Sequence, residues 1–169
     1  MSKAVLISIR PKWAEKIASG EKTIEVRKTR PKIETPFKCY IYCTIDGIKK
    51  MPKDYIAENF ERGKVIGEFT CDRITNLFAN SRFWMAEDDI IRTCLSADEI
   101  RKYANGADEI YGWHISNLCI YDTPRELSDF RRAIDSCDSC RAEYTWECTG
   151  CEKWRGDIKR PPQSWCYVE

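Results

Sequence analysis

Two groups of residues in this sequence have types and spacings that chemistry can use. Cys137-Asp-Ser-Cys140 and Cys148-Thr-Gly-Cys151 are two C-x2-C pairs separated by seven residues. Two residues between thiols let each pair aim both sulfurs inward, and two such knuckles supply four thiolates for a tetrahedral zinc. With four ligands filled, that site has no open position for water or substrate, so the expected zinc is structural. The loop between the pairs is shorter than the roughly 15–20 residues of the common pattern, but a tight turn can bridge them. The alternative is four buried thiols or two redox pairs. Cys39, Cys43, Cys71, Cys94, Cys119 and Cys166 lie in apolar or strand-like contexts and read as small core residues. The second group is Lys22, Glu25 and Arg27. A carboxylate and a guanidinium on one strand face pair and orient each other while modulating the lysine. As a binding site they present one base-edge acceptor and two phosphate donors; as a plain surface feature they are an exposed ion pair worth no more than about 1 kcal/mol. His114, the only histidine, is the other conceivable acid or base, although a lone histidine on a strand is more often a hydrogen-bonded structural residue.

These residues need elements to hold them. Ala4 to Ile9 is an apolar, β-branched strand ended by Arg10-Pro11, and Pro11 suits a first helical turn. From Lys12 the apolar positions Trp13, Ala14, Ile17 and Ala18 keep the helical period, and Gly20 stands where a left-handed cap ends the helix. Thr23 to Arg27 then alternates, placing Thr23, Glu25 and Arg27 on one face of a strand and Ile24 and Val26 on the other. Further strands are expected over 38–43, 65–71, 113–121 and 164–168. A loop and short helix are expected over 52–62, and helix over 83–104 with Ser96 and Glu99 as a capping box. A short helix should follow Pro124 over 125–130. Short strands with few helices point to an α+β domain built round a curled antiparallel sheet or small β-barrel. The chain then divides into one domain of residues 1–134 and 161–169, with 135–160, rich in cysteine and charge, as a zinc-held insertion.

The 169 residues fit one domain of about 100–150 residues plus a modest appendage. Ten cysteines are too few for a disulfide scaffold, which needs about 8–10%. No apolar run approaches the roughly 20 residues that span a bilayer, and no signal-peptide pattern opens the chain, so a soluble, cytoplasmic protein without a membrane partner is expected. The 28 Lys and Arg balance 27 Asp and Glu at +1, so no global field attracts polyanions. Locally the balance differs: residues 1–38 hold ten Lys and Arg against four Glu. That basic patch is the footprint of a phosphate-backbone partner or a solvated surface. Trp13, Tyr40 and Tyr42 are candidate stacking faces for unpaired bases, unless they are core.

Residues 8–28, with the Pro-led helix, the Ser19-Gly-Glu-Lys-Thr23 turn and Ile24-Glu-Val-Arg27, resemble the opening of ASCH domains of the PUA-like superfamily. Tyr40-Ile-Tyr-Cys43, Gly63 to Phe69 and Tyr111-Gly-Trp-His-Ile115 are similar as well, so the resemblance spans roughly residues 4–130 and the closing strand. It implies a small β-barrel with a cleft beside the first helix and a role in binding RNA, or a modified nucleotide, through Arg10, Trp13, Lys22, Thr23, Glu25, Arg27, Lys28 and Tyr42. A cysteine knuckle and a Pro-Pro-Gln-Ser-Trp-like closing strand resemble compact phage and prophage members, implying a host or phage protein as partner of the knuckle. One bacterial branch of the family deacetylates N4-acetylcytidine with a lysine, a threonine nucleophile three residues on, and a later glutamate. Lys22 matches that lysine, but Glu25 stands where the threonine belongs. A hydrolase acting on modified nucleosides or RNA would therefore use Lys22 as base with Glu25 and Glu68.

Overall fold

Ala4 to Ile9 forms strand β1, and every one of its residues is buried. Val5, Ile7 and Ile9 enter one apolar cluster while Ala4 and Leu6 enter another. A strand covered on both faces reads as an unbroken apolar run, which is why its sequence does not alternate. Our computed structural model describes residues 3–45, 62–79, 82–83, 87–133 and 158–169. Helix α1 (Pro11–Ala18) begins with Pro11 in the first turn and turns Ala14 and Ile17 into the larger cluster. Gly20, at φ +80°, makes the left-handed exit that sends the chain into β2 (Ile24–Arg27).

Strand β3 (Phe37–Cys43), β4 (Val65–Ala79) and the two-residue β5 (Arg82–Phe83) follow. Helices α2 (Glu87–Thr93) and α3 (Ala97–Ala104) precede β6 (Glu109–Arg125), a short 3-10 turn (Leu127–Asp129) and β7 (Trp165–Val168). The sheet order is β2-β6-β4-β3-β1-β7, with β5 on β4. The expected curled antiparallel sheet or small β-barrel is met in its α+β class, and its strand arrangement is defined by two features. β1 runs parallel to β3, from Val5 opposite Cys39 to Ile9 opposite Cys43, so the sheet is mixed. A parallel pair needs a long crossover, and α1 with β2 lies in that connection. Among the described residues the ladders also follow an open path. Its ends approach through side chains, with Arg27 Nη1 of β2 3.3 Å from Oγ of Ser164, the residue before β7. Just beyond β2, Trp165 Nε1 donates to Thr29 Oγ1 at 3.0 Å.

The long antiparallel pair β4·β6 is the largest departure from expectation. Each strand extends well past the segment that alternation marks, because register shifts at Glu68/Thr70, Cys71/Arg73 and Asn76/Phe78 reset which residues face inward. At Gly67 an added Cβ would lie 2.5 Å from the carbonyl oxygen of Cys119, so only glycine permits this approach. The helix expected over 83–104 is broken in two by Cys94, at φ 56°. Ser96 and Glu99 form the expected capping box at the start of α3. After Pro124 only the 3-10 turn forms, since β6 continues to Arg125. The expectation for 52–62 lies, apart from Arg62, outside the described residues. Among the described residues no helix is long and apolar enough to cross a membrane.

Candidate functional site

The turn after α1 and strand β2 carry three charged side chains into the interior. Lys22 is 2% exposed, Glu25 7% and Arg27 8%. This excludes the exposed ion pair. Lys22 Nζ donates to the carbonyl oxygens of Ile24 at 2.9 Å and Thr93 at 2.7 Å, and lies 3.3 Å from Glu25 Oε2. Glu25 Oε1 is 3.1 Å from Arg27 Nη2, which also donates to the Ser8 carbonyl at 2.5 Å. The three ammonium hydrogens thus face three acceptors within the chain, and Lys22 has no spare donor for a phosphate. The Nε–H of Arg27 is buried without a hydrogen-bond partner. Glu25 ties the two cations together, and a carboxylate shared in this way is fixed in direction.

The acceptor from Thr93 is itself built. Thr93 Oγ1 donates to the Ile90 carbonyl at 2.7 Å and accepts from Leu95 N–H at 3.1 Å, so the left-handed turn at Cys94 aims the Thr93 carbonyl at Lys22. Thr23 clamps the same helix end. Its N–H donates to the Arg92 carbonyl at 3.0 Å, and its hydroxyl accepts from Arg92 Nε at 3.0 Å. Its hydroxyl therefore serves α2, although alternation had put it on the face of Glu25 and Arg27.

The three charges line one side of a pocket of about 690 Å³. Arg10, Trp13 and Tyr42 from the expected set line it too, as do Ser8, Thr44, Leu95, Glu99, Tyr103, Pro161, Pro162 and Gln163. Thr23, Lys28 and Glu68 are not among the lining residues. Tyr103 was missed because its helical period with Ile100 marks it only as core. It is 40% exposed, with Lys28 Nζ 5.4 Å from its ring centroid, and burial of the rest holds its phenol above the usual range. Trp13 carries two cations over its ring, Lys12 Nζ at 4.7 Å and Lys22 Nζ at 5.2 Å from the centroid. Tyr40, half-buried, packs on Phe130 of the smaller cluster, with ring centroids 4.8 Å apart.

Glu68 belongs to a different cluster. It pairs with Lys38 at 2.7 Å and accepts from the Tyr121 hydroxyl at 2.6 Å. The hydrogen bond from Lys38, then that from Tyr121, holds its carboxyl below the ordinary range. His114 is 2% exposed, with Arg73 Nη2 3.2 Å from Nδ1 and Thr75 Oγ1 3.1 Å from Nε2. Arginine only donates, so Nδ1 accepts and the ring proton sits on Nε2, donated to Thr75. Burial, followed by the charges of Arg73 and Arg92, lowers its pKa. Its partners are structural, as expected of a lone strand histidine.

Among the described residues no group of three or more His, Cys, Asp or Glu is placed to hold a metal. Cys137, Cys140, Cys148 and Cys151 lie outside the described residues. Cys39, Cys43 and Cys71 are buried, and burial pushes the last two thiols up to about 11 and about 12. Cys119 is exposed, so the expectation of a core residue is corrected there: β6 turns its Sγ outward beyond the register shift at Glu68/Thr70.

The description of the ASCH domain family matches residues 7–115. No curated protein matches the chain. Among solved structures, the ASCH protein of Zymomonas mobilis is similar at 19% identity and a TM-score of 0.61, covering 98% of this chain and 87% of that one. Its serine-to-alanine variant gives 19% identity and 0.62 over 98% and 88%. A tyrosine-to-phenylalanine variant of the same protein gives 20% and 0.59 over 99% and 91%. At such identity the likeness concerns the fold alone.

Proposed function

This chain belongs to the ASCH-domain family, and on that premise we propose that its pocket binds one unpaired nucleotide of an RNA. The family, PUA-like in fold, implies RNA-related binding or hydrolysis. The observation that carries the finer reading is the buried Lys22–Glu25–Arg27 cluster set into a pocket of about 690 Å³ beside Trp13 and Tyr103. That volume falls in the roughly 300–1,000 Å³ range of small-ligand sites, and suits a single nucleotide rather than a run of bases. Glu25, held by a cation at each oxygen, retains lone pairs for a base N–H, as carboxylates do towards cytosine N4.

Binding has more support than hydrolysis with Lys22 as base. A base must shed a proton, yet three acceptors already take the ammonium hydrogens, and Glu68 pairs with Lys38 instead of joining Lys22. The test is fluorescence anisotropy with a short single-stranded oligoribonucleotide at several salt concentrations. Arg27→Met and Trp13→Ala should each weaken binding about tenfold or more, and affinity should fall as salt rises. Unchanged affinity in both variants would remove the pocket from the interaction. For the cysteine-rich segment we propose a structural zinc on Cys137, Cys140, Cys148 and Cys151, with a host or phage protein as the segment's partner. Purified protein without stoichiometric zinc, and with four titratable thiols there, would reject the metal.

A further inference from the structure

We propose that the mouth of the pocket carries two phosphate subsites, one formed by Arg10 and Lys12 at the start of α1 and the other by Lys28 at the end of β2. The ligand would then be a nucleotide within a strand, phosphorylated on both sides, and not a free nucleoside. This inference rests on the reading of the pocket as a nucleotide site and specifies what that site accepts.

The argument is one of charge that the protein leaves uncompensated. Arg10 lines the pocket and has no hydrogen bond or ion pair from its guanidinium among the described residues. Lys12 and Lys28 make no ion pair there either, with Lys12 only near enough to Glu99 to help lower its carboxyl; each lies over an aromatic wall residue, Lys12 on Trp13 and Lys28 on Tyr103. A lysine resting on a ring keeps its N–H donors for an anion. The pocket's own carboxylates are engaged, Glu25 by Lys22 and Arg27, and Glu99 by the Ser96 N–H at 2.8 Å. Among the described residues the lining holds three positive side chains, Arg10, Lys22 and Arg27, against those two carboxylates, and Lys12 and Lys28 add two more over its aromatic walls. In a chain with a net charge of +1, a surplus of three is concentrated at one opening.

A neutral base answers none of that surplus. Phosphates do, and the unpaired cations sit on two different elements. Arg10 and Lys12 have α1 beneath them, whose first turn contains no acidic residue, while Lys28 follows Arg27 out of β2 and faces α3 through Tyr103. Two separate anchors beside one pocket match the two phosphates that flank a nucleotide in a strand.

The experiment measures binding of the four ribonucleosides, their 3′-monophosphates, their 5′-monophosphates and their 3′,5′-bisphosphates by calorimetry at low salt. Each phosphate should tighten binding about tenfold over the nucleoside. The Arg10→Gln/Lys12→Gln double variant should lose the gain from one monophosphate isomer, and Lys28→Gln the gain from the other. All three residues are exposed and outside the buried charge cluster, so these variants should keep the wild-type melting temperature. Phosphates that add nothing, or both variants erasing the gain of the same isomer, would overturn the two subsites while leaving the pocket intact. Failure of every ligand to bind the unmodified protein would overturn the pocket reading and the subsites together.

Discussion

Replacing Glu25 with glutamine should be among the most costly conservative changes in this protein. Among the described residues the carboxylate is the only acidic group in contact with both buried cations, at 3.3 Å from Lys22 Nζ and 3.1 Å from Arg27 Nη2. Breaking a buried ion pair from one side costs about 3–5 kcal/mol, because the remaining charge stays desolvated without compensation. Glutamine keeps the shape and one oxygen, so the cost isolates the charge. For a chain of this size 1 kcal/mol moves the melting temperature by about 2–4 °C, so Glu25→Gln should lower it by about 6–20 °C. Adding Lys22→Met to Glu25→Gln removes one of the stranded charges, and the double variant should be less destabilised than the sum of the singles by about 1–3 kcal/mol. Urea denaturation of the four proteins supplies the cycle. A Glu25→Gln cost below about 1 kcal/mol, or strict additivity, would mean that the cluster is solvated and that the pocket has no charged floor.

Three further outcomes follow from neighbouring parts of the structure. Gly67→Ala should destabilise by about 1–3 kcal/mol or more in a melting experiment, since the new Cβ would lie 2.5 Å from a backbone carbonyl that cannot rotate away. Glu68→Gln breaks the pair with Lys38 at a half-exposed site, so it should cost at most about 1 kcal/mol and leave oligoribonucleotide affinity unchanged in the anisotropy assay. For His114 the folded pKa lies below its unfolded value of 6.5, so the unfolded chain takes up the proton first and stability falls as pH drops below about 6.5. His114→Gln should flatten that loss between pH 7 and pH 5 in denaturant titrations. The lowered carboxyl of Glu68 adds stability that is lost only in the more acidic range below 4.5.

The stretch from β1 to the exit of α1 was legible because local rules and tertiary structure agree there. The apolar run of β1, Pro11 in the first turn of α1 and Gly20 at its exit each have one physical reading. The grouping of Lys22, Glu25 and Arg27 also followed from spacing, but their burial did not: that depends on Thr93, 71 residues away, whose carbonyl receives Lys22. Thr23 shows the limit of alternation, since the period-two rule gives a face but not the neighbour that Arg92 supplies. β4 and β6 were read short because bulges break the alternation by which a strand is recognised. Ser8, Tyr103 and Pro161 to Gln163 reach the pocket from elements distant in sequence, and nothing local distinguishes them from core or connection.

The most direct measurement is a crystal structure of the protein with a short single-stranded oligoribonucleotide bound. One base should lie inside the pocket within hydrogen-bond distance of Glu25, with its flanking phosphates towards Arg10 and Lys12 on one side and Lys28 on the other. RNA held elsewhere on the surface, with the pocket filled by solvent, would contradict the account.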